Sequence, residues 1–438
     1  MSKNIESAKL RNFIIVWIGQ FVSSLGSSMT SFATTIWAWE VTGEATSLTL
    51  VGFFYLLPTI FIAPISGVIV DRFNRKWLMI IGDAVSIGMT FVIFLLYLTN
   101  NLQIWHLYLQ SAIVGSFNQL QRLAYSASVV LMIPKKHYSR ASSMEFISGY
   151  GSEILAPSLA GFLYRIIGFA GISLIDIITF AVAISTVIWV HIPQPSFTET
   201  EQQNRPPILQ ELGFGWRYIQ ARKGLLALLF VSLLFWLPHD LGDALYSPMI
   251  LARSGNNTLA LGSLASAAGL GGVTGAIIIT TWGGFKPRIK GVLLGMVGAG
   301  ISKIFFGLSR TPLVWIPAQF CSSFNFPING SSETAIWLAK VPPNLQGRVF
   351  ATRSLFLQLV SAFAYLIAGP LADRIFEPAM KSENLSTSIL ARIFGTGTGA
   401  GMSIIYVLCA LCMLIVGVCG YQFRILHNLE QSMPDGDS

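Results

Sequence analysis

Gly67 to Asp83 reads GVIVDRFNRKWLMIIGD, and this stretch decides the fold. It sets Asp71, Arg72, Arg75 and Lys76 between two long apolar runs, residues 49–70 and 77–98. At about 1.5 Å of rise per residue, a helical run of roughly twenty residues crosses the hydrocarbon core of a bilayer. A charge at the centre of such a helix costs roughly 2.5–3.5 kcal/mol. The charged burst is therefore expected to be a tight loop between two membrane helices. Gly67 would let another backbone approach the end of the first helix, and Asp83 closes the stretch.

Composition extends this reading to the whole chain. Of 438 residues, 53% are hydrophobic and 11% charged, and the mean hydropathy is +0.63. A soluble domain carries about 25% charged residues. The net charge of +8 does not imply nucleic acid, because the basic residues sit in short loops. The four cysteines lie in apolar spans; Cys409 and Cys412 have no acidic or His neighbour in sequence, so neither a disulfide framework nor a metal site is expected. The polar N-terminus and a first apolar run too long for a signal peptide predict a retained first span.

Twelve spans are expected, near residues 12–39, 49–70, 77–98, 104–131, 144–165, 170–191, 224–250, 259–282, 290–309, 313–338, 350–373 and 400–422. With both termini in the cytoplasm, twenty Lys and Arg residues fall inside and six outside, which is the asymmetry expected of an inner-membrane protein. Three parts follow: an N-terminal bundle over residues 1–191, a cytoplasmic linker over 192–223, and a C-terminal bundle with a short tail over 224–438. The linker opens with a Pro-, Gln- and Glu-rich segment that cannot bury a core and ends in an aromatic and basic stretch, residues 213–223, expected to lie along the inner leaflet. The halves repeat. Ser116-Phe117-Asn118 returns as Ser323-Phe324-Asn325, and Ile133-Pro134 followed by Arg140 returns as Val341-Pro342 followed by Arg348.

The pattern G-x-x-x-D-R-x-x-R-K between the second and third spans resembles the signature loop of the major facilitator superfamily of secondary transporters, with Asn74 where that family usually carries glycine. In the fifth span, Gly149 to Gly161 (GYGSEILAPSLAG) resembles the glycine-proline signature of exporters in that superfamily. Here Ala156 precedes Pro157 where a glycine is usual. Small residues permit close packing and Pro157 frees a backbone carbonyl. Trp17 to Ser27 (WIGQFVSSLGS), Val341 to Phe350 (VPPNLQGRVF) and Gly369 to Arg374 (GPLADR) resemble the macrolide-efflux and enterobactin-exporter-like branch. The resemblance implies an all-α integral membrane fold, with twelve helices in two pseudo-symmetric six-helix bundles.

Polar stripes at helical spacing mark a cavity or a helix contact. Gln20, Ser24 and Ser27 form one on span one. Asn118 and Arg122 belong to one on span four; Trp236, His239 and Asp240 end span seven; Asn325, Asn329 and Glu333 lie on span ten. In facilitator-like proteins these four spans line the central cavity, although small-residue packing gives similar serine stripes. Arg122 and Glu153 stand at equal depth on neighbouring spans, about 13 Å from the cytoplasmic ends. They read either as a proton-coupling pair or as a permanent structural ion pair. Many relatives have an acid after the span-one glycine where this chain has Ser27, which shifts the weight to Glu153 and Glu333; Glu333, nearer the cytoplasmic surface, is the competing carrier. His239, Asp240 and Asp243 are open to two readings, titration or a wet outer vestibule. Asp176 and Lys303 fall on spans six and nine, which face lipid in the resembled fold, and no partner is evident for either.

No P-loop, H-E-x-x-H motif or soluble domain large enough for a nucleotide is present, so the chain is not expected to be an enzyme or to need a cofactor. The expectation is proton-driven export of a small amphipathic substrate, with lipid, protons and substrate as partners. Two rivals share the composition: a lipid or lysophospholipid flippase on the same fold, and a non-transporting membrane receptor or scaffold.

Overall fold

The computed structural model describes residues 2–133, 138–192, 208–381, 385–427 and 429–432. Every regular element among these residues is a helix. The chain clusters into two compact units, Met1–Val41 with Val51–Arg205 and Thr42–Leu50 with Pro206–Ser438.

In unit 1, α1 (Ser2–Thr42), α2 (Ala45–Arg72), α3 (Arg75–Leu98) and α4 (Ile104–Met132) are followed by α5 (Tyr138–Trp189). Spans five and six are both contained in α5. They are separated by Gly168 alone, at φ 65° and ψ −170°. That region of backbone space is open essentially only to glycine, so one residue does the work of the loop expected there. A core of Phe13, Val16, Met79, Ala124 and Val187 ties α1, α3, α4 and the second arm of α5 together. Gly115 of α4 has no room for a side chain, because a Cβ there would run into the Tyr55 carbonyl of α2.

Unit 2 begins with α6 (Ile208–Gln220), then α7 (Lys223–Ser254), α8 (Thr258–Trp282), α9 (Arg288–Leu308), α10 (Pro312–Lys340) and α11 (Pro343–Leu371). A π-helical turn (Ala372–Phe376) and α12 (Glu377–Lys381) continue α11. After them come α13 (Leu385–Phe394), α14 (Ala400–Gly420), α15 (Arg424–His427) and α16 (Leu429–Ser432). The glycine contact of unit 1 has a counterpart here with the roles exchanged: Gly271 and Gly275 of α8 abut the Phe320 and Phe324 carbonyls of α10.

Two features depart from the sequence reading. The stretch 213–223 does more than lie along a lipid surface. Tyr218 and Ile219 are in the core of unit 2, Trp216 packs on Phe356 of α11 at 5.0 Å, and Gly215 makes room for Thr352. The segment 377–396, which falls between the last two expected spans, holds α12 and α13, with Met380 and Phe394 packed against Ala400 and Ile404. The turn before α12 also reaches the start of α2, which belongs to unit 2: the Asp373 carboxylate accepts from Ala45 N (3.2 Å), Thr46 N (2.7 Å) and Thr46 Oγ1 (2.6 Å). An acid there satisfies orphan donors at a helix N-terminus and complements its dipole.

Nine described helices are long and apolar enough to cross a membrane. One of them is in α5, which contributes a second crossing through its other arm; α4 and α10, which carry the polar stripes, supply the rest of the twelve. Large apolar side chains such as Phe61, Phe91, Phe162, Phe230, Phe305 and Leu313 are exposed along these helices, as a lipid-facing surface requires. Exposed Trp77, Trp105, Trp189 and Trp282 stand at helix ends, where indole rings favour the membrane interface.

Candidate transport cavity and buried charges

Unit 1 encloses a cavity of about 530 Å³. The stripes on α1 and α4 point into it: Gln20, Ser24 and Ser27 from one, Asn118 and Arg122 from the other. Serine and threonine are the commonest residues of its wall, with Tyr55, Tyr125 and Phe180 as the aromatic surfaces. Arg122 Nη2 donates to Gln119 Oε1 one turn back, at 3.0 Å. The side chain of Glu153, its expected partner, lies outside the described residues.

Two acids give the cavity its character. Asp83 was grouped with the charged loop by sequence, but it sits more than two turns into α3, only 4% exposed, and lines the cavity. Gln20 Nε2 donates to its Oδ2 at 3.1 Å and Gln121 Nε2 to its Oδ1 at 3.2 Å, while Gln121 also donates to Gln20 Oε1 at 2.7 Å. The bare helix surface at Gly82 admits the Gln121 side chain between α3 and α4. Asp176, assigned to a lipid-facing span, in fact faces inward from the second arm of α5 and is 2% exposed. It accepts from Ser27 Oγ (3.3 Å) and Thr90 Oγ1 (3.4 Å). Sequence carried a signal for both: a single acid inside an otherwise apolar run must turn to the protein interior. Periodicity gave no face to which either belongs.

The signature loop is anchored within unit 1. Asn74 caps α3, its Oδ1 accepting from Lys76 N (3.0 Å) and Trp77 N (3.4 Å). This explains how Asn serves where glycine is usual: it supplies an N-cap acceptor with an ordinary negative φ of −63°. Arg75 is buried and donates to Ala127 O of α4 at 2.8 Å. Lys76 Nζ donates to Ile188 O (2.7 Å) and Val190 O (3.0 Å) at the end of α5, where a cation complements the helix dipole. Arg72 is exposed, and the Asp71 side chain lies outside the described residues. Gly67 has open space around it, and among the described residues no backbone approaches it as closely as expected. Gly149 is equally open, whereas Ala156, Ala160 and Gly161 are buried around the helix-internal Pro157.

Unit 2 holds its charges differently. Glu333, 1% exposed, is paired with Arg353 of α11 at 2.7 Å, and the same oxygen accepts from Ser232 of α7 (2.8 Å) and Trp337 (3.4 Å). Asn325 and Asn329 face α9 rather than open space. Their side chains fill the bare surfaces of Gly298 and Gly295, and Asn329 Nδ2 donates to Val292 O at 3.5 Å. A polar stripe that beds against glycines is indistinguishable by spacing from one that lines a cavity. Trp236 stacks on Phe326 (6.0 Å) and abuts His239 (4.9 Å), whose Nδ1 is 3.1 Å from Asp240 Oδ1. Asp243 accepts from Tyr365 OH at 3.0 Å. Lys303 is buried on α9, over the Tyr406 ring at 5.2 Å, and Asp243 and Asp240 act on it electrostatically, so it too points inward.

Long apolar helices in two units, a cavity inside one of them and charged side chains buried along the helices fit a multi-pass membrane transporter. Residues 16–365 match the Major Facilitator Superfamily, and the chain belongs to that family. It is 26% identical over 368 residues to macrolide efflux protein A of Streptococcus pyogenes, covering 83% of this chain and 90% of that protein. It is 25% identical over 318 residues to macrolide efflux protein A of Enterococcus faecalis, covering 72% and 96%. Among solved structures, the fold is similar to a bacterial homologue of the human lysosomal transporter Spinster (TM-score 0.70, 13% identity, 96% of this chain and 98% of that one). It is also similar to the POT family transporter PepTSo (TM-score 0.71, 10% identity, 96% and 98%). The protein is thus a transporter and not an enzyme.

Proposed function

We propose that this transporter exports lipophilic, amphipathic small molecules in exchange for protons, moving between inward- and outward-open states. The observation that carries the reading is the cavity of unit 1: hydroxyls, amides and aromatic rings line it together with Asp83, Asp176 and Arg122. Such a wall suits a substrate with several hydrogen-bonding groups on an apolar frame, and macrolides are of that kind. The two macrolide efflux relatives support the same direction of transport.

For the proton path, Glu153 with Arg122 and Glu333 with Arg353 are the proposed coupling groups. A carboxylate that holds an Arg partner in one conformation and loses it in the other exchanges a proton with each cycle. His239 and Asp240 supply a second titratable group in unit 2. The protein resides in the plasma membrane with both termini in the cytoplasm, a reading supported by the charge asymmetry of its loops. The charged loop at Asp71 and Arg72 acts as the gate on that side.

The test is flux in proteoliposomes with an imposed pH gradient, using labelled macrolides, other lipophilic drugs, siderophores and phospholipids. Gradient-accelerated movement of a macrolide or drug supports export. Movement of labelled phospholipid alone would replace it with the flippase reading, and no flux of any substrate under any gradient would sink both. Cysteine labelling within residues 192–212, reachable only from the cytoplasm, checks the orientation.

A further inference from the structure

Asp176 is surrounded in a way that proton exchange does not require. Its carboxylate is 2% exposed, deep in unit 1, and among the described residues it makes no ion pair with Lys, Arg or His. What surrounds it is neutral oxygen from two other helices: Ser27 and Thr30 of α1 and Thr90 of α3. Gly26 brings the α1 backbone close, since a Cβ there would stand 3.0 Å from Asp176 Oδ1. The spacing is too wide for strong hydrogen bonds. Ser27 Oγ is 3.3 Å and Thr90 Oγ1 3.4 Å from the carboxylate, against about 2.5–3.0 Å for an O–H···O bond. Thr30 Oγ1 is buried and faces the same carboxylate, without the geometry of a regular hydrogen bond to it or to any other described residue. A buried hydroxyl without a regular hydrogen bond, beside a buried carboxylate with no cationic partner among the described residues, is costly twice over.

A bound cation removes both costs. Hard cations hold oxygen ligands at about 2.3–2.6 Å, and neighbouring ligands in an octahedral shell of that size stand about 3.3–3.7 Å apart. Ser27 Oγ at 3.3 Å and Thr90 Oγ1 at 3.4 Å from the Asp176 carboxylate have that spacing. Mg²⁺, at about 2.0–2.1 Å, would draw them to about 2.9 Å, and it parts reluctantly with its water. A divalent ion would also leave a net positive charge where one carboxylate is the sole anion of the shell. A larger ion such as K⁺ demands wider spacing. The geometry points to a sodium-ion site formed by Asp176, Ser27, Thr30 and Thr90. Three helices of unit 1 meet at it, so its occupancy ties α1, α3 and the second arm of α5 together. The inference stands independently of the proton exchange proposed above, and binding can be read without any flux.

The experiment uses the purified full-length protein in detergent. NaCl is exchanged for N-methyl-D-glucamine chloride at constant ionic strength and pH, with KCl as a parallel arm, and thermal unfolding and tryptophan fluorescence are recorded. The expected result is a saturable change with Na⁺ that neither K⁺ nor N-methyl-D-glucamine reproduces. It should be lost in Asp176→Asn, and its half-saturation should rise at least tenfold in Thr30→Val and Thr90→Val. The two valine variants keep side-chain volume, so they decide the matter even where Asp176→Asn does not fold. A response equal in K⁺, absent in the wild type, or unchanged in the valine variants would overturn the site.

Discussion

Arg353→Met would break the one buried Lys- or Arg-carboxylate pair found among the described residues. Arg353 Nη2 lies 2.7 Å from Glu333 Oε1, with the two side chains 21% and 2% exposed. Removing one member of a buried pair costs about 3–5 kcal/mol, because the other charge is left behind. Two features moderate that figure here. Ser232 and Trp337 still donate to the stranded oxygen, and Arg353 is not wholly buried in the wild type. The expected loss is about 2–3 kcal/mol, the scale of one hydrogen bond to a charged group. For a unit of this size that lowers the unfolding temperature by roughly 4–12 °C. The assay is thermal unfolding in detergent of Arg353→Met, Glu333→Gln and the double variant. The double variant removes the stranded charge as well as its partner, so it should recover at least half of the loss. An unshifted Arg353→Met, or a double variant whose loss equals the sum of the singles, would refute the reasoning.

Three further outcomes follow from the geometry. Asn74→Ala should cost about 1 kcal/mol, the usual worth of an N-cap, and appear as faster proteolysis at the loop; Asn74→Asp should keep full stability. Asp373→Asn, which keeps the shape but loses the charge that accepts three bonds at the start of α2, should cost about 1–2 kcal/mol and raise cysteine labelling at Thr46→Cys; equal labelling in both backgrounds would count against the contact. Gly168→Ala forces a side chain onto a backbone at φ 65°, so it should lower the unfolding temperature by several degrees, whereas a neutral result would mean that α5 can be joined another way.

Much of the architecture is legible in residue order because a bilayer permits few solutions. Long apolar runs must be helices, and charged bursts such as Asp71 to Lys76 must lie between them. The stripes on α1 and α4 were legible for the same reason: Gln20, Ser24, Asn118 and Arg122 step along one face, and that face turns to the cavity. Where spacing is silent, sequence fails. Asp83 and Asp176 are solitary, so no periodicity tells which neighbours they meet, and the fold brings them to one wall from helices 93 positions apart. The α10 stripe fails differently, since Asn325 and Asn329 fill the glycine surfaces of α9. Spacing does not reveal the partner of Glu333, because Arg353 lies on the next helix, across the turn that follows α10. Gly168 shows how a single residue with positive φ can stand in for a loop.

Proton-coupled export is tested most directly by substrate-induced proton movement in everted membrane vesicles. Respiration acidifies the lumen, and quenching of an acridine dye reports the gradient. Added macrolide should enter the lumen as protons leave, so quenching should partly reverse in vesicles carrying the transporter and not in vesicles lacking it. Glu153→Gln or Glu333→Gln should abolish the reversal while leaving substrate binding in place. Macrolide accumulation with no change in dye quenching, or reversal of equal size in vesicles without the protein, would contradict the account.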